Sequence, residues 1–229
     1  MNAERNKLLQ QVRDCLVNLN EDCVLRAVSG LLERGVPATE IVLGSMSSAM
    51  EEIGRLYEEG EYFIAELVEA ADIFKKAMKI LEPRIKEEAS KLGSSRRLRI
   101  VIGTVKGDVH DIGKTLVAVM LQAAGHEVID LGVDVDAEKF AEAVEKYNPQ
   151  VLGMSALLTT TARYMAEVLR VLEERGLRRK VYVVIGGAAT SREFAERIKA
   201  DGWARDAIEA VKLINKLAEE MKDHAGEEG

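Results

Sequence analysis

The residues with the clearest chemical potential are an aspartate and a histidine two positions apart, Asp108 and His110, in a loop that three glycines punctuate. A neutral imidazole is the commonest nitrogen ligand for metals in proteins. A nearby carboxylate can accept a hydrogen bond from the other ring nitrogen, which fixes the tautomer and raises the basicity of the ligating nitrogen. This spacing therefore predicts a histidine ligand that Asp108 supports.

The elements around this loop must place it at the edge of a sheet. A short β-branched run at residues 98–105 predicts a strand that is buried on both faces, and a helical pattern begins near Ile112. The loop thus follows the carboxyl end of a strand. In open α/β sheets ligands bind at that edge, and glycines allow the backbone to approach a large ligand closely.

Strands alternate with helices over the rest of the chain. Further strands are predicted at residues 126–131, 151–154 and 181–185 and near Gly202 and Trp203, with helices at 136–147, 162–175 and 206–222. Such an alternation implies a parallel sheet with right-handed crossovers. We therefore expect an α/β domain with a doubly wound, flavodoxin-like sheet of about five strands.

The first 92 residues show no strand-like alternation, and capping signals divide them into helices. Four helices are predicted, at residues 3–19, 21–34, 37–59 and 61–81, the last ending before Pro83 and followed by a short tail. Amphipathic helices joined by short turns form bundles. The predicted domains are a helical bundle at 1–92, a small and polar linker at 93–97, and the α/β domain at 98–229, whose last four residues are expected to be disordered.

Composition limits the function. The net charge of −7 and the single tryptophan argue against nucleic acid as a partner, since phosphate binding relies on concentrated Lys and Arg. No apolar run approaches the roughly 20 residues of a membrane span, and the N-terminus has no apolar signal region. We expect a cytoplasmic protein without a membrane partner. Cys15 and Cys23 are predicted to be reduced, core-facing thiols, and His126 and His224 to be surface histidines.

The pattern Asp108-x-His110-x-x-Gly113 resembles the corrinoid-binding motif of cobalamin-dependent methionine synthase and of the corrinoid proteins that serve methanol, methylamine and aryl-ether methyltransferases. The resemblance continues through residues 155–161 and 186–190 and covers nearly the whole chain. It implies cobalamin as the cofactor. It also implies that His110 replaces the cofactor's benzimidazole as the lower axial ligand of cobalt, while the displaced nucleotide tail enters the α/β domain.

The resemblance implies a role for each matching residue. The loop residues expected to contact the cofactor are Gly107, Asp108, Val109, His110, Asp111, Ile112 and Gly113. The nucleotide tail is expected to contact Ser155, Leu157 and Thr159 after the third strand, Gly186 and Gly187 after the fourth, and Ala204. Thr161 falls where the family places the hydroxyl that completes the His–Asp relay. For Thr160 the preferred interpretation is a helix cap.

Residues 57–67 cluster three aromatic side chains and resemble the helical cap that covers the upper, methyl-bearing face of the corrin in this family. The resemblance implies Tyr57, Ile64 and Leu67 as the covering residues and Phe63 as a structural one. An apolar cap has a physical reason, because it limits the access of water to a reactive centre and must move before a partner can reach it.

The resemblance implies a corrinoid carrier that is not catalytic alone. Its expected partners are a substrate-specific methyltransferase and an acceptor methyltransferase, with coenzyme M or tetrahydrofolate as the acceptor, and a reductive activase is a further candidate. Methanol, methylamines, betaines and methoxyaromatics all remain open as donors, because donor choice belongs to the partner. The alternatives are a cobalamin-dependent sensor, which normally adds a DNA-binding or signalling module, a mutase subunit, which lacks this cap, and a purely structural protein.

Overall fold

The computed structural model describes residues 2–94 and 96–226, with side chains described for 4–94 and 96–221. The chain divides into two compact units, Met1–Glu88 and Ala89–Gly229. Residues 227–229, which belong to the tail expected to be disordered, lie outside the described residues, as does the side chain of His224.

The first unit is helical, as predicted. Its elements are α1 (Asn2–Val17), α2 (Glu21–Glu33), α3 (Ala38–Ile41), a π-helical turn (Val42–Met46), α4 (Ser47–Glu58) and α5 (Ile64–Ser90). The third predicted helix is therefore helical over nearly its whole length, but a π-helical turn interrupts it. Asn20 caps α2, because its side chain accepts a hydrogen bond from the backbone N–H of Cys23 at 3.1 Å.

The prediction that the fourth helix ends before Pro83 is wrong, since α5 continues to Ser90. A proline inside a helix loses one backbone hydrogen bond and crowds the preceding turn. Packing outweighs this cost here: Leu81 and Ile85, on either side of the proline, are fully buried. The carboxylate of Glu88 also accepts hydrogen bonds from the first backbone N–H groups of α3, which ties the end of α5 to the bundle.

The prediction of reduced, core-facing cysteines is also wrong. Cys15 and Cys23 form a disulfide between α1 and α2, with their Cα atoms 5.8 Å apart, and both residues are only half-buried. The chain reverses between the two helices through Leu19, which has a left-handed backbone (φ 55°). This reversal brings two positions on adjacent helices within the distance that a disulfide requires.

The second unit is an α/β domain with five parallel strands in the order β2-β1-β3-β4-β5. The strands are β1 (Arg99–Thr104), β2 (Glu127–Asp130), β3 (Val151–Ser155), β4 (Tyr182–Gly186) and β5 (Gly202–Ala204). The helices between and after them are α6 (Ile112–Ala123), α7 (Ala137–Tyr147), α8 (Thr159–Ala162), α9 (Tyr164–Glu174), α10 (Arg192–Ile198) and α11 (Ala207–Gly226), with a 3₁₀ turn at Arg178–Lys180. This strand order is that of flavodoxin-like folds, so the predicted fold class is confirmed.

Helices cover both faces of the sheet. On one face, apolar side chains of β1, β3 and β4 pack with those of α7 and α9, around the fully buried Phe140. On the other face, α6 and α11 pack against each other and against strands nearer the two edges of the sheet. Ser155 and Gly186 end β3 and β4 instead of following them, and the short helix α10 had no counterpart in the sequence-based prediction.

His126 was predicted to face solvent, and this prediction is wrong. Its side chain is buried, and its Nε2 lies 2.8 Å from Oδ1 of Asn215 on α11. Its Nδ1 accepts a hydrogen bond from the backbone N–H of Leu98 at 3.3 Å, so Nε2 carries the proton. Burial lowers the pKa of His126, against the opposite effect of the hydrogen bond with Asn215. The helix that covers this strand start comes 89 residues later, which is why local sequence did not reveal the contact.

Candidate functional site

Asp108 and His110 lie at the carboxyl end of β1, in direct contact. Nδ1 of the imidazole is 2.7 Å from Oδ1 of Asp108, which also accepts the backbone N–H of His110 at 3.0 Å. A carboxylate can only accept, so Nδ1 carries the hydrogen and Nε2 keeps its lone pair. The carboxylate is fully buried, whereas 49% of the imidazole is exposed. Within the described part of the chain, Nε2 has no hydrogen-bond partner, so the ring presents a free ligand atom outward.

The second oxygen of Asp108 is held from the β3–α8 loop. Oδ2 accepts the hydroxyl of Thr161 at 2.6 Å and the backbone N–H groups of Leu157 and Leu158 at 2.8 and 3.3 Å. Burial by itself raises the pKa of Asp108. The hydrogen bonds from Thr161, His110 and Leu157 outweigh this and lower its pKa to about 2. Asp108 is therefore an anion at neutral pH, fixed beside the imidazole.

The loop after β2 supports the backbone of the histidine loop. The carboxylate of Asp134 accepts a hydrogen bond from the backbone N–H of Gly107 at 2.7 Å. The backbone N–H of Asp134 donates a hydrogen bond to the carbonyl of Asp108 at 3.0 Å. The buried hydroxyl of Thr104 donates to the carbonyl of His110 at 3.1 Å. Sequence analysis missed Asp134 and Thr104. The available signal for Asp134 was its place just after a predicted strand, at the edge where strand ends converge.

Exposed apolar side chains lie on the histidine loop and on the two loops that hydrogen-bond to it. Val109 beside the histidine is 68% exposed, and Leu157 and Leu158 on the β3–α8 loop and Val133 on the β2–α7 loop are also solvent-exposed. Large apolar residues grouped on a surface commonly mark a binding site. Val133 and Leu158 were not among the predicted site residues, although both follow predicted strands at this same edge.

A row of small residues crosses the carboxyl ends of the central strands. Thr104, Ser155, Gly186 and Ala204 are register partners on neighbouring strands, so their side chains share one face of the sheet. Ser155 and Gly186 are only half-buried despite their central position. Gly187 has a φ of 105°, and a Cβ atom there would lie 2.1 Å from the carbonyl oxygen of Ala156. The backbone at this turn therefore requires glycine.

The other predicted loop residues have simpler surroundings. Asp111 occupies the N-cap position of α6 without a capping side-chain bond, Ile112 is half-buried and Gly113 exposed, and Thr159 is exposed at the start of α8. The interpretation of Thr160 as a helix cap is wrong, because Leu158 and Arg163 occupy the N-cap positions of α8 and α9.

The predicted covering residues lie in the first unit, around the turn between α4 and α5. Tyr57 and Ile64 are exposed and Leu67 is half-buried. The prediction that Phe63 is structural is wrong for its ring, which is 67% exposed, although its backbone N–H donates to Glu66 at 2.8 Å and so caps α5. Val68, also exposed, extends this apolar surface and was not predicted.

Among the residues whose side chains are described, no group of three or more His, Cys, Asp and Glu is arranged to hold a metal ion. Within the described part of the chain, no helix combines the length and the apolar character needed to cross a bilayer.

Three features of the carboxyl edge of the sheet are compatible with a corrinoid cofactor. The free Nε2 of His110 suits a metal that brings its other ligands with it. The exposed apolar side chains around it suit a flat macrocycle. The row of small residues, in which Ser155 and Gly186 are half-buried, ends at the tight turn of Gly187 and offers little steric bulk to an attached nucleotide. Fold and site together define a cofactor-binding protein of the flavodoxin-like class.

Comparisons with known proteins identify the family. A family profile described as "B12 binding domain" matches residues 98–212, and a second profile with the same description matches residues 8–82. Dimethylamine corrinoid protein 1 of Methanosarcina mazei is 40% identical over 217 residues, which cover 94% of this chain and 98% of that protein. The chain belongs to the family of corrinoid proteins of methyltransferase systems, and its cofactor is cobalamin.

Solved structures agree with this assignment. The monomethylamine corrinoid protein of Methanosarcina barkeri superimposes with a TM-score of 0.78 at 32% identity, over 93% of this chain and 99% of that one. The methanol:cobalamin methyltransferase complex MtaBC of the same organism matches with a TM-score of 0.50 at 29% identity, over 93% of this chain and 80% of the matched chain.

Proposed function

We propose that this protein is a methyl carrier that binds cobalamin with the nucleotide base displaced and with His110 as the lower axial ligand of cobalt. It receives a methyl group from a substrate-specific methyltransferase and delivers it to a second methyltransferase, whose acceptor is coenzyme M or tetrahydrofolate. When bound, cobalamin supplies the cobalt centre that takes up and releases the methyl group. The observation that carries the proposal is the half-exposed imidazole whose Nδ1 is held by buried Asp108 and whose Nε2 is free.

Asp108 and Thr161 set the electronic character of His110. The anionic carboxylate holds the proton at Nδ1, which prevents the tautomer with a protonated Nε2 and increases the basicity of the ligating nitrogen. The Thr161 hydroxyl and two backbone N–H groups stabilise the negative charge on Asp108 at distances of 2.6–3.3 Å. A buried carboxylate without these donors would be costly to ionise, so the β3–α8 loop is part of the ligand system.

The apolar side chains beside His110 would pack against the lower face of the corrin. Val109, Val133, Leu157 and Leu158 are exposed in the chain without cofactor. Covering them is favourable by about 1.5–3 kcal/mol for each side chain that becomes fully buried. Their contact with the macrocycle would also exclude water from the bond between His110 and cobalt, which makes the Asp108–His110 electrostatic interaction stronger.

The nucleotide tail is proposed to bind along the small residues of β3, β4 and β5. Ser155, Gly186 and Ala204 offer little steric bulk on the same face, and the tight turn at Gly187 approaches Ala156 so closely that no side chain fits there. Contacts from Leu157 and Thr159, which follow β3, are part of the same proposal. A tail held in this way would keep the benzimidazole away from the cobalt, so that His110 can take its coordination position.

The exposed apolar surface at residues 57–68 is proposed to cover the methyl-bearing face of the cofactor. Tyr57, Ile64 and Leu67 are poor acids, bases or metal ligands at neutral pH, so their contribution is to exclude water. Phe63 and Val68 add to this surface because both are largely exposed. The covering segment must move aside before a methyltransferase can reach the cofactor.

The proposed partners follow from the family. The solved structure titled as a methanol:cobalamin methyltransferase complex contains a chain similar to this one, which supports a methyltransferase as the direct partner. The names of the relatives include dimethylamine and monomethylamine corrinoid proteins. We propose that the identity of the donor is decided by the partner methyltransferase, and that a reductive activase restores reduced cobalt after oxidation.

Electron paramagnetic resonance of the Co(II) form tests the ligand. Protein grown with ¹⁵N-histidine should show superhyperfine coupling that differs from that of unlabelled protein. His110→Ala should abolish the label-dependent coupling, and His126→Gln should retain it as the matched control. Coupling that comes from the cofactor's benzimidazole and ignores the label contradicts the proposed ligation.

A turnover assay tests the carrier role. The purified protein loaded with methylcobalamin should transfer negligible methyl to a small-molecule acceptor, because the residues proposed to cover the cofactor, Tyr57, Ile64 and Leu67, are poor acids, bases or ligands and do not orient a second substrate. Addition of the cognate methyltransferase should restore the rate. Fast transfer by the isolated chain contradicts the division of labour. Isomerase activity with adenosylcobalamin indicates a mutase subunit instead, and cobalamin-dependent binding to a promoter or signalling protein indicates a sensor.

A further inference from the structure

Asp134, in the β2–α7 loop, has an unusual backbone conformation. Its φ is 54°, in the left-handed region that residues other than glycine rarely adopt. Non-glycine residues in this region cost free energy and persist where the surrounding structure imposes them, often at functional sites. The side chain of Asp134 is exposed, and among the described residues it has no ion-pair partner that could offset this cost.

What the conformation achieves is a pair of hydrogen bonds with the histidine loop. The backbone N–H of Asp134 donates to the carbonyl of Asp108 at 3.0 Å, while its Oδ1 accepts the backbone N–H of Gly107 at 2.7 Å. Gly107 also has a left-handed backbone, with a φ of 81°. One residue of the β2–α7 loop thus holds the N–H of Gly107 and the carbonyl of Asp108, on either side of the peptide bond that joins the two residues.

This contact is separate from the hydrogen bonds that stabilise the charge of Asp108. Thr161, Leu157 and Leu158 hold the carboxylate from the β3–α8 loop, whereas Asp134 holds the backbone that carries it. The position of Oδ1 of Asp108 relative to Nδ1 of His110 depends on both. Loss of the Asp134 contact leaves the Asp108 charge stabilised but allows its backbone to shift, so the two effects can be separated by experiment.

We propose that Asp134 is a positioning residue for His110: by fixing the backbone at Gly107 and Asp108, its side chain keeps the imidazole in the tautomer with a free Nε2. This rests on the proposed function in taking Nε2 as the cobalt-binding atom. Asp134 does not itself touch the cofactor in this proposal. Its effect is seen before any cofactor binds, because the tautomer is set within the chain.

The test is the tautomer of His110 in the full-length chain without cofactor, measured from two-bond proton–nitrogen correlations of ¹⁵N-histidine at a pH where the imidazole is neutral. The wild-type protein should show the Nδ1–H tautomer at His110. Buried His126, whose geometry requires the Nε2–H tautomer, is an internal reference within the same spectrum.

Three variants distinguish the loss of the Asp134 side-chain acceptor from the general effect of placing glycine at a left-handed position. Asp134→Gly keeps the left-handed conformation available and removes the acceptor, so the ratio of Nδ1–H to Nε2–H tautomers at His110 should fall by up to roughly fivefold, the equivalent of one ordinary hydrogen bond. Asp134→Asn keeps an acceptor and tolerates the left-handed region, so it should preserve most of the ratio. Lys199→Gly is the matched control, because Lys199 is an exposed left-handed residue (φ 61°) at the end of α10.

An unchanged His110 tautomer ratio in Asp134→Gly, or an equal fall in Asp134→Asn and Lys199→Gly, would overturn the proposal. Thermal unfolding of each variant verifies that the fold is retained. Failure of the proposed ligation appears in a different measurement, the Co(II) spectrum of the wild-type holoprotein. The tautomer experiment reports on Asp134 whether or not His110 binds cobalt.

Discussion

The hydroxyl of Thr161 lies 2.6 Å from Oδ2 of Asp108, the oxygen that His110 does not use, although the two residues are 53 positions apart in the chain. The buried carboxylate therefore has one oxygen for the imidazole and one for the β3–α8 loop. The anion that orients the ligand histidine depends on a second loop. This relationship makes the role of Thr161 measurable separately from that of His110.

Thr161→Val should destabilise the chain by about 1.5–3 kcal/mol, because the buried Asp108 anion loses a hydrogen bond from a hydroxyl. In the holoprotein, the same change should shift the midpoint potential of cobalt reduction more than it changes cobalamin affinity, since the ligand remains but its basicity changes. Denaturant unfolding and a redox titration measure the two effects. Thr161→Ser keeps the hydroxyl and should resemble the wild type. Equal potentials in all three proteins would count against a His–Asp–Thr relay.

Gly187→Ala should cost about 3 kcal/mol or more and should weaken cobalamin binding, because it combines a disfavoured backbone with a collision. The backbone φ at Gly187 is 105°, and the added Cβ would lie 2.1 Å from the Ala156 oxygen. Gly125→Ala is a matched control. Gly125 has a φ of 101° with no atom within 4 Å of the added Cβ. The Gly125→Ala variant should therefore lose only about 1–2 kcal/mol of unfolding free energy. Similar stability losses and intact cobalamin binding in both variants would contradict a role for this turn.

Truncation of Ile64 and Leu67 to alanine should leave cobalamin affinity nearly unchanged and should speed the oxidation of reduced cobalt in air severalfold. The physical reason is that these side chains are proposed to exclude water and oxygen without binding the metal. Stopped-flow absorbance of the reduced holoprotein after exposure to oxygen measures the rate. The melting temperature of the variant must stay close to that of the wild type for the comparison to hold. An oxidation rate equal to the wild-type rate removes the covering role.

His126 makes the stability of the α/β unit depend on pH. Its pKa is lowered from the ordinary value of 6.5 by burial, so the unfolded chain binds the proton more readily than the folded chain. The stability contribution is therefore complete above about pH 6.5 and is lost as the pH falls through the lowered folded value. Protonation at Nδ1 would also oppose the N–H of Leu98.

His126→Gln should lower the free energy of unfolding by about 1–3 kcal/mol at pH 7.5, because the Leu98 N–H loses its acceptor. The difference between wild type and variant should shrink as the pH is lowered toward 5, since the wild type then loses the contribution of the neutral histidine. Urea unfolding at several pH values measures this. Parallel stability profiles for the two proteins would show that His126 is not the titrating group.

Much of the fold could be predicted because local pattern determines it. Buried β-branched runs, glycine stops and amphipathic spacing gave five strands and the intervening long helices within a few residues, and the alternation of strand and helix restricts the sheet to a parallel topology. The motif Asp108-x-His110 could be found for the same reason: its two residues are only two positions apart, so their spacing is a local property of one loop.

Tertiary structure decided the features that depend on distant partners. Pro83 lies inside α5 because the bundle buries its neighbours, and His126 is buried because α11 covers it. The Cys15–Cys23 disulfide depends on how α1 and α2 pack. Such contacts depend on side chains many positions apart, and their free energy overrides local propensity.

The same division holds at the site. The sequence by itself determined that a histidine with an aspartate beside it would follow a strand, since period and spacing are local properties. Only the tertiary structure decided that Thr161 would stabilise that aspartate and that Asp134 would hold its backbone. The physical reason is that the carboxyl ends of parallel strands converge at one edge, so loops separated by tens of residues share a single set of hydrogen bonds.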